Sequence, residues 1–304
     1  MCLIDNIAVS HRLLCLSRLA KGLIPIVCVV LASCSNPPPN GPESESSDFS
    51  PSWSPTGDSI AFVHLALSLN DPFPDGVYVV GAAGGPRRLI QQTFARSVDW
   101  SPDGRRLVFD TPSGLFSCTS HGESLQTIYN GVAYFPSWSP QGNLVAFDDI
   151  THIWVVPVGG GTPTAITDSL GGGRDPDWSP DGQALIIRFG FPGAQGGELA
   201  TVSLSGQLLG RVTNNSHEER SPAWSPIGSA VAWNPWPRGP QGRVHPEFRL
   251  TDTSGTASRL LVTGEGQIGW SPDGTRLVLS RQTSSGSKLF TITTTGQNLT
   301  QITF

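Results

Sequence analysis

The sequence predicts an all-β fold: a six-bladed β-propeller of four-stranded antiparallel blades, placed after a signal peptide and a disordered tether. Three observations carry this expectation. One phrase recurs six times, as Trp53-Ser-Pro-Thr-Gly57, Trp100-Ser-Pro-Asp-Gly104, Trp138-Ser-Pro-Gln-Gly142, Trp178-Ser-Pro-Asp-Gly182, Trp224-Ser-Pro-Ile-Gly228 and Trp270-Ser-Pro-Asp-Gly274. The tryptophans follow one another at 38 to 47 residues, the period of a radial β-repeat with one blade per copy. Between copies stand short apolar runs separated by Gly and Pro, as expected of strands joined by tight turns. Single blades cannot bury their faces alone, so six copies must close into one body.

The elements follow in chain order. Arg12, Arg18 and Lys21 precede the apolar stretch Leu23–Ser33, the layout of a secretory signal peptide. That stretch is too short for a bilayer span, which needs about 20 residues. It ends in Leu31-Ala32-Ser33-Cys34, which is similar to the bacterial lipobox, so residues 1–33 read as a lipoprotein signal peptide and Cys34 as the lipid attachment site. Ser35 after the Cys favours the outer membrane, periplasmic side, under the enterobacterial sorting rule. Residues 34–48 are polar, acidic and Pro-rich and read as a tether. Residues 49–304 form the propeller. Only Cys118 remains in it, so no internal disulfide is available; in its alternating strand pattern it reads as a small core residue.

Within the fourth repeat, Asp175–Ser179, Gln183–Phe189, Glu198–Leu204 and Leu208–Thr213 read as the four strands. In the third, Leu144–Phe147, Ile153–Pro157 and Ala165–Thr167 are the second to fourth. In Ser-Pro-x-Gly, Pro presets φ and Gly takes the positive φ at the end of the turn. The preceding Trp is a large wedge suited to the space between sheets. The first strand, Phe49–Trp53, and the last, Asn298–Phe304, place each blade on contiguous sequence, so blades one and six should meet through side-chain packing rather than a shared strand.

The Trp-Ser-Pro-Asp-Gly phrase, followed by strands such as Val77-Tyr-Val-Val80 and Ile153-Trp-Val-Val156, resembles the repeats of TolB-type, WD40-like (PD40) propellers over about residues 48 to 304. The resemblance implies the fold and a periplasmic compartment, and for TolB itself a role in the Tol–Pal envelope system. TolB carries an α/β domain ahead of its propeller, where a tether is read here. Related repeats also occur in the propellers of prolyl oligopeptidases and dipeptidyl peptidase IV.

The net charge of −5 and the absence of a basic stripe give no reason to expect nucleic acid as a partner. The sequence has no Gly-x-Ser-x-Gly elbow, no His-Glu-x-x-His and no phosphate loop. Ser285-Gly-Ser-Lys288 matches Ser-x-x-Lys without its partner motifs. Asp71, Asp75, Asp175 and Asp177 lie in no recognised calcium loop. No catalytic residue, metal or cofactor is therefore assigned. The Asp residues beside Trp100 and Trp178 are placed to face the central channel. One face carries only tight turns; the other gathers the long loops, where function usually sits on a rigid scaffold. Trp236, Arg238, Arg243, Phe191 and Phe73 are the candidate partner-binding residues, with Arg96, Arg174, Asp175, His217, Glu218, Glu219 and Arg220 brought to the same face by inter-blade loops. The expected function is a monomeric, lipid-anchored envelope module that binds another envelope protein or polymer and is not an enzyme. The alternatives are a hydrolase or lyase with a site on the propeller face, and a regulatory propeller partnering a peptidase.

Overall fold

A computed structural model describes residues 46–191, 196–215, 218–236 and 246–304. Blade one is β1 (Ser46–Trp53), β2 (Ser59–Ala66), β3 (Gly76–Gly81) and β4 (Arg88–Gln92). Blade two is β5 (Val98–Trp100), β6 (Arg106–Thr111), β7 (Gly114–Thr119) and β8 (Gln126–Asn130). Blade three is β9 (Tyr134–Trp138), β10 (Leu144–Asp148), β11 (Ile153–Pro157) and β12 (Thr164–Ala165). Blade four is β13 (Arg174–Trp178), β14 (Ala184–Phe189), β15 (Glu198–Ser203) and β16 (Leu208–Arg211). Blade five is β17 (Glu218–Trp224), β18 (Ala230–Trp236), β19 (Glu247–Asp252) and β20 (Ser258–Thr263). Blade six is β21 (Ile268–Trp270), β22 (Arg276–Thr283), β23 (Gly286–Thr293) and β24 (Thr300–Gln301). Each blade is a separate antiparallel sheet in sequence order. β1 starts at Ser46, ahead of the expected boundary at Phe49, so Ser46, Ser47 and Asp48 belong to blade one and not to a tether.

The second and third strands of each blade read as nearly unbroken apolar runs because both of their faces are covered by neighbouring blades; Ile60, Phe62, Leu185 and Ile187 are fully buried. The repeated turn is held by its own side chains. In blade two, Ser101 N–H donates to Arg106 O, Ser101 Oγ donates to Asp103 Oδ1 at 2.7 Å, and Gly104 takes φ 69°. Each turn glycine packs against the turn of the previous blade: a Cβ at Gly104 would lie 3.7 Å from the Pro55 ring, and one at Gly57 3.4 Å from Pro272. That last contact joins blade one to blade six.

The tryptophans fill the seams. Trp53, Trp100, Trp138 and Trp178 are buried, and Trp224 and Trp270 half-buried. Trp178 Nε1 donates to Ser137 O of the preceding blade at 3.0 Å, and Trp270 Nε1 to Ala223 O at 2.9 Å.

Four inner strands carry a bulge at one register position. Ser50-Pro51, Phe135-Pro136, Asp175-Pro176 and Ser221-Pro222 precede their tryptophans, and the pairing shifts register there. Pro has no N–H for the ladder, which favours a bulge at that point. Ser50, Phe135, Asp175 and Ser221 take positive φ, 48° to 54°, as non-glycine residues. Blades two and six have Val98 and Ile268 in place of the Pro and show no shift.

The seam between blades one and six has no shared strand. Buried Lys288 donates to Ser46 Oγ, not to Ser285, and Ser46 N–H donates to Ser285 O. A Cβ at Gly286 would collide with the Ser46 carbonyl, so the seam is tight. Behind it, within blade one, buried His64 Nδ1 lies 2.7 Å from Asp48 Oδ1, which also receives Arg87 Nη1 at 3.1 Å. Cys118 is buried, and burial pushes its thiol up to about 11, consistent with a core residue.

Candidate functional site

The inner strands surround a central channel, a cavity of about 280 Å³. The residue before each tryptophan lines it, giving the series Ser52, Asp99, Ser137, Asp177, Ala223 and Gly269 around the ring. Ser52 Oγ donates to Asp99 Oδ1 at 2.7 Å, and Trp138 N–H donates to Asp99 Oδ2 at 2.8 Å. Two blades on, Ser137 Oγ donates to Asp177 Oδ1 at 2.9 Å and Trp224 N–H to Asp177 Oδ2 at 2.6 Å. Each aspartate thus ties three consecutive blades together. Both are half-buried where they line the channel. Burial pushes Asp99 up to about 6 and Asp177 up to about 7, the latter also through the charge of Asp99. Channel-facing aspartates are what the residues beside Trp100 and Trp178 led one to expect.

A second cavity, about 480 Å³, opens at the mouth of the channel on the long-loop face. Phe135, Asp175, Ser221 and Gln267 line both cavities and form the neck between them. Three of these four are the positive-φ residues of the bulges, so the local break in the ladder shapes the neck. The mouth wall is a chain of ion pairs. Arg188 Nη1 lies 2.5 Å from Glu218 Oε1 and its Nε 3.3 Å from Asp175 Oδ2. Arg220 Nη2 lies 3.4 Å from the same Glu218 oxygen. Arg174 Nε stands 3.8 Å from Asp148 Oδ1, while Asp148 Oδ2 accepts the Asp175 N–H. Burial pushes the Asp148 carboxyl up to about 6. On the far side, Gln267 Oε1 accepts Ser50 N–H at 2.9 Å, which fixes its amide across the blade-one seam.

Arg174, Asp175, Glu218 and Arg220, expected at this face, all line the mouth. Glu219 is buried beside it, bonded to Asn215 and pushed up to about 8 by burial and by Glu198. Arg96 sits apart, its guanidinium 4.3 Å from the Tyr134 ring centre and 3.7 Å from Asp110. Phe73 and Phe191 reach the same face but not the same place. Phe73 packs against the blade-one core with Arg87 4.5 Å from its ring. Phe191 stands edge-on to Phe189 in blade four, with Arg211 4.6 Å away. Neither lines the mouth. Trp236 ends β18 in register with Glu218. Cys34, Arg238, Arg243 and His217 lie outside the described residues. Phe49, Phe135, Arg188 and Gln267 are mouth residues that sequence reasoning missed; Phe49 and Phe135 have a local signal in the neighbouring Pro51 and Pro136, two places before the tryptophan, and Arg188 and Gln267 have none. Among the described residues no group of three His, Cys, Asp or Glu side chains is placed to hold a metal ion, and no helix is long and apolar enough to cross a membrane.

The repeat-by-repeat ring has a counterpart among known families: the TolB beta propeller domain (PD40) matches residues 42–228 and 115–304. The chain belongs to the TolB β-propeller family. A TolB from Agrobacterium tumefaciens superposes with TM-score 0.61 at 21% identity, over 76% of this chain and 87% of that one. TolB from Acinetobacter baumannii gives 0.66 at 15% identity; the alignment covers 86% of this chain and 64% of that protein's length. An oligogalacturonate lyase from Vibrio parahaemolyticus gives 0.56 at 11% identity, over 85% and 77%. At these identities the likeness to TolB and to the lyase is one of fold. Comparison with curated protein sequences found no match.

Proposed function

We propose that this TolB-family propeller is an exported lipoprotein, anchored through Cys34 at the periplasmic side of the outer membrane. There it acts as a non-catalytic module that holds another envelope protein or an envelope polymer. The observation that carries the reading is the cavity of about 480 Å³ at the channel mouth, assembled from blades one and three to six on the long-loop face. A concave, largely preformed site with a few fixed polar groups is the usual form of a binding site. Phe191 and Phe73 extend the same face in blades four and one, and Trp236, Arg238 and Arg243 of the blade-five sequence are proposed as further partner contacts.

Two features favour binding over catalysis. The mouth carboxylates Asp175 and Glu218 are each engaged by Arg188, a contact that competes with the proton a general base would have to accept. Asp99 and Asp177 titrate near neutrality, as catalytic acids often do, but both oxygens of each receive hydrogen bonds from neighbouring blades. They are structural.

Affinity capture from cross-linked envelopes tests the proposal. Wild type should retain a specific partner that Phe135→Ala plus Arg188→Ala loses, and that Trp236→Ala plus Arg238→Ala weakens. Ile227→Ser, on the tight-turn face, should retain it. Identical partners for all four proteins would contradict the choice of face.

A further inference from the structure

The chemistry of the channel mouth selects a class of ligand, given the binding-face reading above. Among the described residues that line it the charges balance: Arg174, Arg188 and Arg220 face Asp175, Glu218 and Glu265. Such a wall has no net field with which to draw an ion. It sets donors and acceptors side by side instead. Arg188 is clamped between Asp175 and Glu218, and a guanidinium has five N–H donors, more than these two contacts use. Carboxylate oxygens next to it accept. The side chains of Gln267, Gln282 and Ser287 add further groups of both kinds. Phe49 and Phe135, both half-buried, add aromatic surface to the same wall.

A hydroxyl group both donates and accepts. A fixed arginine–carboxylate pair answers it with one partner of each kind, and a phenyl ring can cover the C–H face of a sugar ring. An extended peptide is served less well. Strand addition needs an edge with continuous N–H and C=O groups. The edges that face this channel are interrupted at Pro51, Pro136, Pro176 and Pro222, where the register also shifts. The strain at Phe135, with φ 50°, sets that residue at the neck where the two cavities meet.

We infer that the channel mouth binds an uncharged oligosaccharide, with Arg188 and Glu218 as the hydrogen-bonding pair and Phe135 as the stacking surface.

The test is calorimetric titration of the full mature protein with cellotetraose and tetra-N-acetylchitotetraose as uncharged probes and trigalacturonate as a charged one. At least one uncharged probe should bind with Kd of about 1 mM or tighter. Phe135→Ala and Glu218→Gln should each weaken it by about tenfold or more, and Ile227→Ser should leave it unchanged. Should Phe135→Ala melt below the assay temperature, Phe135→Leu removes the ring while keeping apolar bulk and should show the same loss. The inference is overturned by no uncharged binding up to about 10 mM, by binding insensitive to both Phe135 variants, or by tighter binding of trigalacturonate. If the sugars fail while envelope capture still depends on Phe135, the binding face stands and its ligand is a protein.

Discussion

Trp178→Ala should destabilise the propeller by about 3–5 kcal/mol, the range for truncating a buried aromatic side chain. Trp178 is one of the most buried of the repeat tryptophans, packs with Leu185, Ile187 and Val202, and donates its indole N–H to Ser137 O across the seam between blades three and four. Removing it opens a cavity between two sheets and leaves a buried carbonyl without its donor. Because ring stability is close to a sum of blade and neighbour contributions, the loss falls on one seam yet lowers the whole transition. Thermal unfolding by circular dichroism should show a Tm lower by about 10 °C. Trp154 is the control. It lies on β11, half-buried, outside the repeated phrase, with Nε1 donating to Asp149 Oδ2. Its replacement by Ala should cost about 1 kcal/mol. Equal costs for the two would contradict the role of the repeated indole as the wedge between blades.

Acidification from pH 8 to pH 5 should raise the Tm. Burial pushes five carboxyl groups upward: Asp99, Asp110 and Asp148 to about 6, Asp177 to about 7 and Glu219 to about 8. An acid whose folded pKa is raised binds its proton in the native chain at a pH where the unfolded chain has released it. The native state is therefore favoured at low pH, and stability falls as pH rises from about 4 to the folded values. Depressed carboxyls such as Asp103, Asp181 and Asp273, lowered first by the hydroxyls of the turn serines, act the other way. Their contribution is present above about pH 4 and is lost only below it, outside this window. Asp177 alone should account for about 2 kcal/mol between pH 8 and pH 5. Asp177→Asn should flatten the profile by that share. A Tm that falls on acidification within this range would show that the channel carboxylates are compensated in a way the geometry does not provide.

The fold was legible because its information is local. Trp, Pro and Gly at fixed offsets name the wedge, the turn and the positive φ within one short phrase, so blade four was read to within a few residues of β13 to β16. The ends of elements were less clear. Blade three closes with only Thr164–Ala165 as its outer strand, before a 3₁₀ turn at Asp168–Leu170, where Ala165–Thr167 was expected. Asp48 reads as part of an acidic, polar segment, yet it is buried and paired with His64 sixteen residues on. The mouth was half legible. Arg174, Asp175, Glu218 and Arg220 announce themselves as charged residues in inter-blade loops. Phe49, Phe135 and Gln267 do not, because each looks like an ordinary strand residue until the ring brings five blades together. Phe73 and Phe191 drew notice as aromatic residues in long loops, but each packs against the core of its own blade, a contact that loop composition does not reveal.

The central claim is that the molecule engages its ligand through the channel mouth and not through the tight-turn face. Site-specific photo-cross-linking in intact cells tests it most directly, with the reactive side chain placed at Phe135 in one protein and at Ile227 in another. Adducts should form from position 135 and not from position 227. Adducts from 227, with none from 135, would contradict it.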